Sequence, residues 1–358
     1  MREERQSAKD DIDELAPNVR RLQLPIDMPG LGHVNCYILD DSRGAALVDP
    51  GLPGRAAWNA LVAGLKRADL RVKDIHTVII THSHPDHFGG AGRLQREAGA
   101  EIITHDHFRF FWDTADDNRD SVDAVETHTE NDPLLDDPQY ARRSTGPFGP
   151  TPWGGEPHQI SSRRKFGYWL MKHGIGKRFL PTARPTKRVN DADHIMLAER
   201  EFVAVHTPGH TVDHLCLFDP DGGLMIAGDH VLPTITPHIS GMGLAQDPLK
   251  QYFDSLDRMK TFAEAKTVLP AHGHPFSDLS GRVEAIKEHH GDRLQILRDA
   301  SEDLGPATVG EYMKKLFQER SWGSMAESET FAHLEHLRLE GEATAHRRDD
   351  GMLEYQFD

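Results

Sequence analysis

The chain has 358 residues, 37% of them hydrophobic, which suffices for one large α/β domain, a small appendage and a sizeable core. Its formal net charge of −16 argues against a broad nucleic-acid or anionic-membrane footprint. The charged N-terminal stretch contains no apolar signal-like segment, no run is long enough to span a bilayer, and Cys36 and Cys216 sit in apolar strand-like contexts as buried free thiols would, so a cytoplasmic protein is expected.

Residues 1–18 mix acidic and basic side chains and read as a flexible lead before the first strand at Val19. Residues 33–40 and 45–49 follow as paired strands across a turn of Asp41, Ser42, Arg43 and Gly44. Pro50-Gly51-Leu52-Pro53-Gly54 breaks the pattern, residues 56–70 have helical periodicity, and Val78-Ile79-Ile80 reads as a buried strand. A helix over 91–98 and a strand over 101–105 come next. From about 107 to 191 the regular pattern stops, yet Phe108, Phe110, Phe111, Trp112, Phe166, Tyr168, Trp169, Leu170 and Met171 fall inside the segment. A structureless loop of that length does not suit a compact domain, so a lid or cap insertion is expected, with the second aromatic group on a cap helix. For most of these aromatics, simply packing the cap onto the core is the better reading.

Strands are expected again at 195–197, 202–205, 215–218, 224–227 and 266–270, with a helix over 248–262. Two strand-rich halves flanked by helices imply an α/β fold of face-to-face sheets with helices outside. After this main domain (19–282), residues 283–358 read as a helical connector and a small α+β domain. Gly305-Pro306 marks the boundary, two helices cover 309–318 and 326–339, and a β-ribbon turns at Asp349, Asp350 and Gly351. The pattern is winged-helix-like, but residues 306–358 carry six Lys/Arg against eleven Asp/Glu, a net of −5, so phosphate contacts are under-supplied. Packing onto the main domain, or homodimer formation, is expected instead.

The densest chemistry is Thr81-His82-Ser83-His84-Pro85-Asp86-His87, three imidazoles and a carboxylate between a strand and a helix. Burying so many such groups without a cation would leave polar atoms unsatisfied, which weighs against a merely His-rich surface loop. His82 and His84, two apart in an extended segment, point to one side and can share a metal, whereas Asp86 and His87, beyond Pro85, can address a second. Gly89 and Gly90 free the space where the helix approaches. Six residues cannot close two coordination shells. Three further segments, each at a strand end, can supply more ligands: His206-Thr207-Pro208-Gly209-His210-Thr211, Gly228-Asp229-His230 and Ala271-His272-Gly273-His274.

Over roughly residues 20–280 these motifs strongly resemble the metallo-β-lactamase superfamily: HxHxDH as His82 to His87, GHT as Gly209-His210-Thr211, GD as Gly228-Asp229 and the terminal His272-Gly273. The resemblance implies an αββα sandwich in which His82, His84 and His210 bind one metal, Asp86, His87 and His272 bind another, and Asp229 bridges them. His206, His214, His230, His238 and His274 are left to supporting or surface positions, with His206 and His274 the nearest rivals for the ligand set. The tail resembles the winged-helix extension of some glyoxalase-II-like members. Asp at the bridging position and the lack of an export signal disfavour antibiotic hydrolysis.

Two divalent cations, Zn²⁺ foremost and Mn²⁺ or Fe²⁺ as alternatives, would bridge a hydroxide for attack on an ester, thioester or lactone carbonyl, with Asp86 or Asp229 transiently holding the proton. The expected partner is a small-molecule substrate with an acyl group. Tyr168, Trp169 and Met171 would receive the acyl group, and Arg164, within Arg163-Arg164-Lys165, an anionic tail, although a short basic run reads equally as a solvated face. Alternatives are a phosphodiesterase or endoribonuclease, a mononuclear iron persulfide dioxygenase on His82, His84 and His210, and a non-enzymatic binding module.

Overall fold

Side-chain alternation along the strands builds the layers. In the computed structural model, which describes residues 2–28, 30–110, 132–137, 139–140, 151–155, 183–243 and 245–358, strand β3 (Leu31–Asp41) sends Val34, Cys36 and Ile38 to one apolar cluster and Tyr37 and Leu39 to another. β4 (Gly44–Val48) does the same with Ala45 and Leu47 against Ala46 and Val48. A strand buried on both faces separates two cores in this way, because successive side chains point to opposite sides.

The first sheet has the order β1 (Ile12–Ala16), β2 (Val19–Met28), β3, β4, β5 (Ile75–Ile79), β6 (Glu101–His105) and β7 (Lys187–Val189). Its outer face is covered by α1 (Arg55–Arg67) and α3 (Ala91–Ala98), whose Trp58, Leu61 and Leu94 share a cluster with Leu22, Ile38 and Val78. The second sheet runs β12 (Thr267–Pro270), β11 (Leu224–Gly228), β10 (Leu215–Asp219), β9 (Arg200–His206) and β8 (His194–Leu197). Between the sheets lie Tyr37, Val48 and Ile79 from one side and Phe202, Leu217 and Ile226 from the other. The outer face of the second sheet, with Cys216, Met225 and Val268, packs on α4 (Pro248–Met259) and α5 (Leu279–Leu304). The result is the expected αββα sandwich.

Beyond α5 come β13 (Ala307–Thr308), α6 (Val309–Leu316), α7 (Ser324–Leu339), β14 (Ala343–Arg347) and β15 (Leu353–Phe357), with β15 central in a three-stranded sheet. Phe331, Leu334, Leu353 and Tyr355 belong to the same apolar cluster as Tyr252 and Leu256 of α4, so this unit is fused to the sandwich by continuous core. Three described islands of the 107–191 segment, 132–137, 139–140 and 151–155, join it through Leu134, Tyr140 and Trp153, whereas Phe108 and Phe110 pack in the cluster under α1 and α3.

Two expectations are corrected. The N-terminal lead is tied down: Ile12–Ala16 pairs antiparallel with β2, and the fully buried Glu4 carboxylate accepts from the Thr234 and Ile235 amides at 2.8 and 3.1 Å. Within the stretch read as irregular, Lys187–Val189 pairs parallel with β6. Both are charged edge strands, and an edge needs only one apolar face, which weakens the periodic signal. Cys36 and Cys216 are buried free thiols, as expected. Among the described residues no helix is long and apolar enough to cross a membrane.

Candidate metal centre

Strand direction brings the candidate ligands to one rim. β4, β5 and β6 are parallel, so Asp49, the segment 81–84 and His105 leave the first sheet at the same end. In the second sheet β11 and β12 are parallel, and β9 runs with them because β10 is antiparallel to both its neighbours, which puts Asp229, His272 and the segment 206–210 at one end too. Pro85 opens the one-turn helix α2 (Pro85–Phe88), and its fixed φ suits the first helical position; the turn carries Asp86 and His87 away from the direction of His82 and His84. A Cβ on Gly89 would lie 2.0 Å from Pro53 N, so only glycine lets this turn seat on the 50–53 loop. Gly228, at φ +51, ends β11 where a Cβ would meet His214 Nε2 at 2.6 Å.

Two groups of ligand atoms result, His82 with His84, His210 and Asp229, and Asp86 with His87 and His272. In the first, His84 Nδ1 is 3.0 Å from His82 Nε2 and 3.1 Å from His210 Nε2, while Asp229 Oδ2 is 3.9 Å from His82 Nε2 and 3.6 Å from His210 Nε2. In the second, Asp86 Oδ2 is 3.5 Å from both His87 Nε2 and His272 Nε2. Asp229 adjoins both groups, with Oδ2 3.7 Å from His87 Nε2 and Oδ1 3.3 Å from His272 Nε2.

These separations fit a cation. Ligand atoms about 2.0–2.1 Å from a tetrahedral ion lie about 3.3 Å from one another. His87 Nε2, His272 Nε2 and Asp229 Oδ1 are buried without a hydrogen-bond partner, a costly condition that a shared cation removes.

The outer nitrogens are fixed. His210 Nδ1 donates to the His238 carbonyl and His272 Nδ1 to the His33 carbonyl, both at 2.7 Å. His87 Nδ1 donates to Asp49 Oδ2 at 2.8 Å. Asp49 also accepts from Thr81 Oγ1 at 2.7 Å, and that hydroxyl lies 3.1 Å from His82 Nδ1, so one carboxylate steadies a histidine of each group. Such contacts orient the ring and leave Nε2 as the inward lone pair.

Burial, followed by neighbouring imidazoles, pushes His82 well below its ordinary value and His84 to about 3, and burial lowers His210, so the three rings are neutral as ligands must be. Burial would raise Asp86 and Asp229, but the surrounding histidines hold Asp86 at about 2 and Asp229 well below the carboxylate range. His87 and His272 move upward despite burial, because Asp86, Asp229 and, for His87, Asp49 face them. The second group therefore carries surplus negative charge, the electrostatic demand a divalent ion meets.

All seven residues of the expected ligand set converge. Of the rivals, His206 stacks on His105 at 3.9 Å and joins a separate group with His107, and His274 sits beside Arg21. His214 is buried behind Asp229 and accepts from its amide at 3.0 Å, and His230 is buried. Arg164, Tyr168, Trp169 and Met171 lie outside the described residues. Sequence reasoning passed over Asp49, although it stands at the end of β4 just as the ligands stand at the ends of their own strands.

Residues 29–272 match the family model of the Metallo-beta-lactamase superfamily. The chain belongs to this superfamily. Among its metallo-β-lactamase-type relatives, the "Probable metallo-hydrolase YqjP" of Bacillus subtilis is 24% identical over 328 residues, covering 88% of this chain and 91% of that protein. The "Lactamase-like protein nscB" of Trichophyton equinum is 29% identical over 150 residues, which span 41% of this chain and only 40% of that one. The crystal structure of a metallo-beta-lactamase family protein from Thermus thermophilus is similar with a TM-score of 0.70 and 26% identity, covering 96% of this chain and 100% of that one, so the likeness extends past residue 272. Family, ligand groups and relatives together support a metal-dependent hydrolase that uses divalent cations.

Proposed function

We propose that this metallo-β-lactamase-type chain is a dinuclear hydrolase of an ester, thioester or lactone, acting on a small molecule with an acyl group. The observation that carries the reading is Asp229, whose carboxylate lies against both groups of ligand atoms, with Oδ2 3.6 Å from His210 Nε2 and Oδ1 3.3 Å from His272 Nε2. Two divalent ions held by His82, His84, His210 and Asp229 and by Asp86, His87, His272 and Asp229, with Zn²⁺ the best match to this N/O set, would supply a water of lowered pKa as nucleophile and Lewis-acid stabilisation of the developing oxyanion. No side-chain nucleophile is then required.

The residues' own part is positional and protonic. Asp49 holds His82, through Thr81, and His87 in register, and the His33 and His238 carbonyls do the same for His272 and His210. Asp86 and Asp229 are the carboxylates placed to take the proton released on attack and pass it to the leaving group. Held at about 2 and well below the ordinary range, they would carry it only in passing. The second ligand group favours this reading over a mononuclear iron dioxygenase, and the −16 charge over a nuclease.

The test is metal analysis of the purified chain followed by a screen of esters, thioesters, lactones and phosphodiesters. Two ions per chain with carbonyl-ester turnover is the expected result. One iron with oxygen consumption, or turnover of phosphodiesters alone, would overturn it.

A further inference from the structure

The loop from Asp229 to Asp247, between β11 and α4, leaves the metal rim and docks on α7 of the C-terminal unit. Hydrogen bonds make the seam. His238 Nδ1 donates to Glu329 Oε2 at 3.1 Å, the Gly241 amide donates to the Ser328 carbonyl at 3.2 Å, Ser240 Oγ lies 3.1 Å from Ser328 Oγ, and His336 Nδ1 donates to Asp247 Oδ2 at 2.9 Å. Approach is close enough that a Cβ on Gly241 would stand 2.5 Å from the Phe331 ring. The backbone carbonyl of that same His238 accepts from His210 Nδ1 at 2.7 Å. Glu329 is thus two hydrogen bonds from the nitrogen that sets the orientation of His210.

We infer that Glu329, on the C-terminal unit, is a positioning residue for the first metal group, acting on His210 through His238. Its carboxylate fixes the His238 side chain, which holds the His238 carbonyl where His210 Nδ1 needs an acceptor. His210 Nε2 then faces His84 Nδ1 at 3.1 Å. A second contact steadies Glu329 itself, since Arg293 Nη1 lies 3.4 Å from Oε1. On this account the C-terminal unit is part of the metal site's scaffold. The inference rests on the reading of His82, His84, His210 and Asp229 as a metal group.

The test titrates Co²⁺ into the metal-free full-length chain carrying His272→Ala, which disables the second of the two groups that share Asp229. It scores only the visible absorption that His84→Ala abolishes on the same background, because His105 with His107 and His206, Glu329 with His290 and His333, and His336 with Asp247 and Glu340 are further groups that could hold an ion. Adding Glu329→Ala is expected to weaken binding about 10–100-fold, the usual cost of losing a contact that orients a ligand. Glu329→Gln, which loses the ion pair with Arg293 but keeps an oxygen acceptor for His238, is expected to restore binding to near the parent level. His336→Ala, which loosens the same seam at Asp247, serves as the packing control and should lower thermal stability without weakening Co²⁺ binding. The inference is overturned if Glu329→Ala binds as the parent does, if Glu329→Gln fails to rescue, or if His336→Ala weakens binding equally. A His272→Ala parent that binds no Co²⁺ overturns the reading of the first group itself, and the inference with it.

Discussion

The metal rim and the α7 network both bury several ionisable side chains, yet they treat them oppositely. At the rim, His87 Nε2, His272 Nε2 and Asp229 Oδ1 are buried without a hydrogen-bond partner. On α7, Glu335 accepts from the Tyr355 hydroxyl at 2.6 Å, from Tyr140 and from Arg338, while Arg338 also meets Asp132 at 2.7 and 3.0 Å and Gln246 adds a further bond to Asp132. Closed accounts of this kind specify packing, whereas orphaned atoms facing one another mark a place built for a ligand. Burial of charge alone does not distinguish structure from function. Convergence of unsatisfied groups on one point does.

Asp229→Ala tests the rim most severely. A contact that merely orients a ligand is worth about 10–100-fold in metal affinity, so loss of the shared ligand itself should reduce bound metal and hydrolytic turnover by at least about 100-fold. The metal-free variant should nevertheless lose less stability than Arg338→Ala, because one oxygen of the deleted carboxylate has no hydrogen-bond partner and His87 and His272 keep Asp86 and, for His87, Asp49 as neighbours. Metal content by elemental analysis and denaturant unfolding of the metal-free chain check the two halves. Arg338→Ala is the converse. It strands the buried Asp132 and Glu335, and breaking a buried pair from one side costs about 3–5 kcal/mol. Its metal affinity should be unchanged. Equal stability losses in the two variants would abolish the contrast.

Asp49→Ala sharpens the comparison from inside the rim. The carboxylate touches neither group's inner nitrogens but steadies His87 directly and His82 through Thr81. Competition with a chelator should therefore show a loss of about 10–100-fold at both groups. A loss at one group alone would mean that the Thr81 relay does not transmit.

The rim was the most legible part of the sequence because parallel strands put their ends together: His82, His210, Asp229 and His272 each announce themselves directly after or within a few residues of an apolar run. Asp49 obeys the same rule but lacks a neighbouring histidine to draw attention. β1 and β7 were hidden by their charges, which edge strands tolerate. The Glu329–His238 contact joins residues 91 apart through a helix face and a loop, and no local periodicity encodes such a pairing. The α7 network shows why the acidic tail is no surface decoration. Glu335 and Glu329 belong to the charge count that weighs against nucleic acid, yet both are buried.

Acid should separate the two regions further, through His333 on α7. Burial above all holds this ring down to about 4, while its Nδ1 donates to the Glu329 carbonyl at 2.7 Å and Nε2 faces His290 Nδ1 at 3.0 Å. A depressed histidine means that the unfolded chain binds a proton which the folded chain refuses between the unfolded value of about 6.5 and the folded one. Stability from this group is thus complete above pH 6.5 and falls as pH drops toward about 4, by about 1.4 kcal/mol per pH unit. His333→Leu should flatten the stability profile by about that slope in this window, as measured by urea unfolding at pH 7.5, 6 and 5. The metal-free chain is the one to measure, since His333 lies outside both groups that surround Asp229 but forms with His290 and Glu329 a group that could itself hold an ion. A slope unchanged by the substitution would show that the ring already accepts a proton in the folded chain, and α7 would then share the rim's tolerance of unsettled charge.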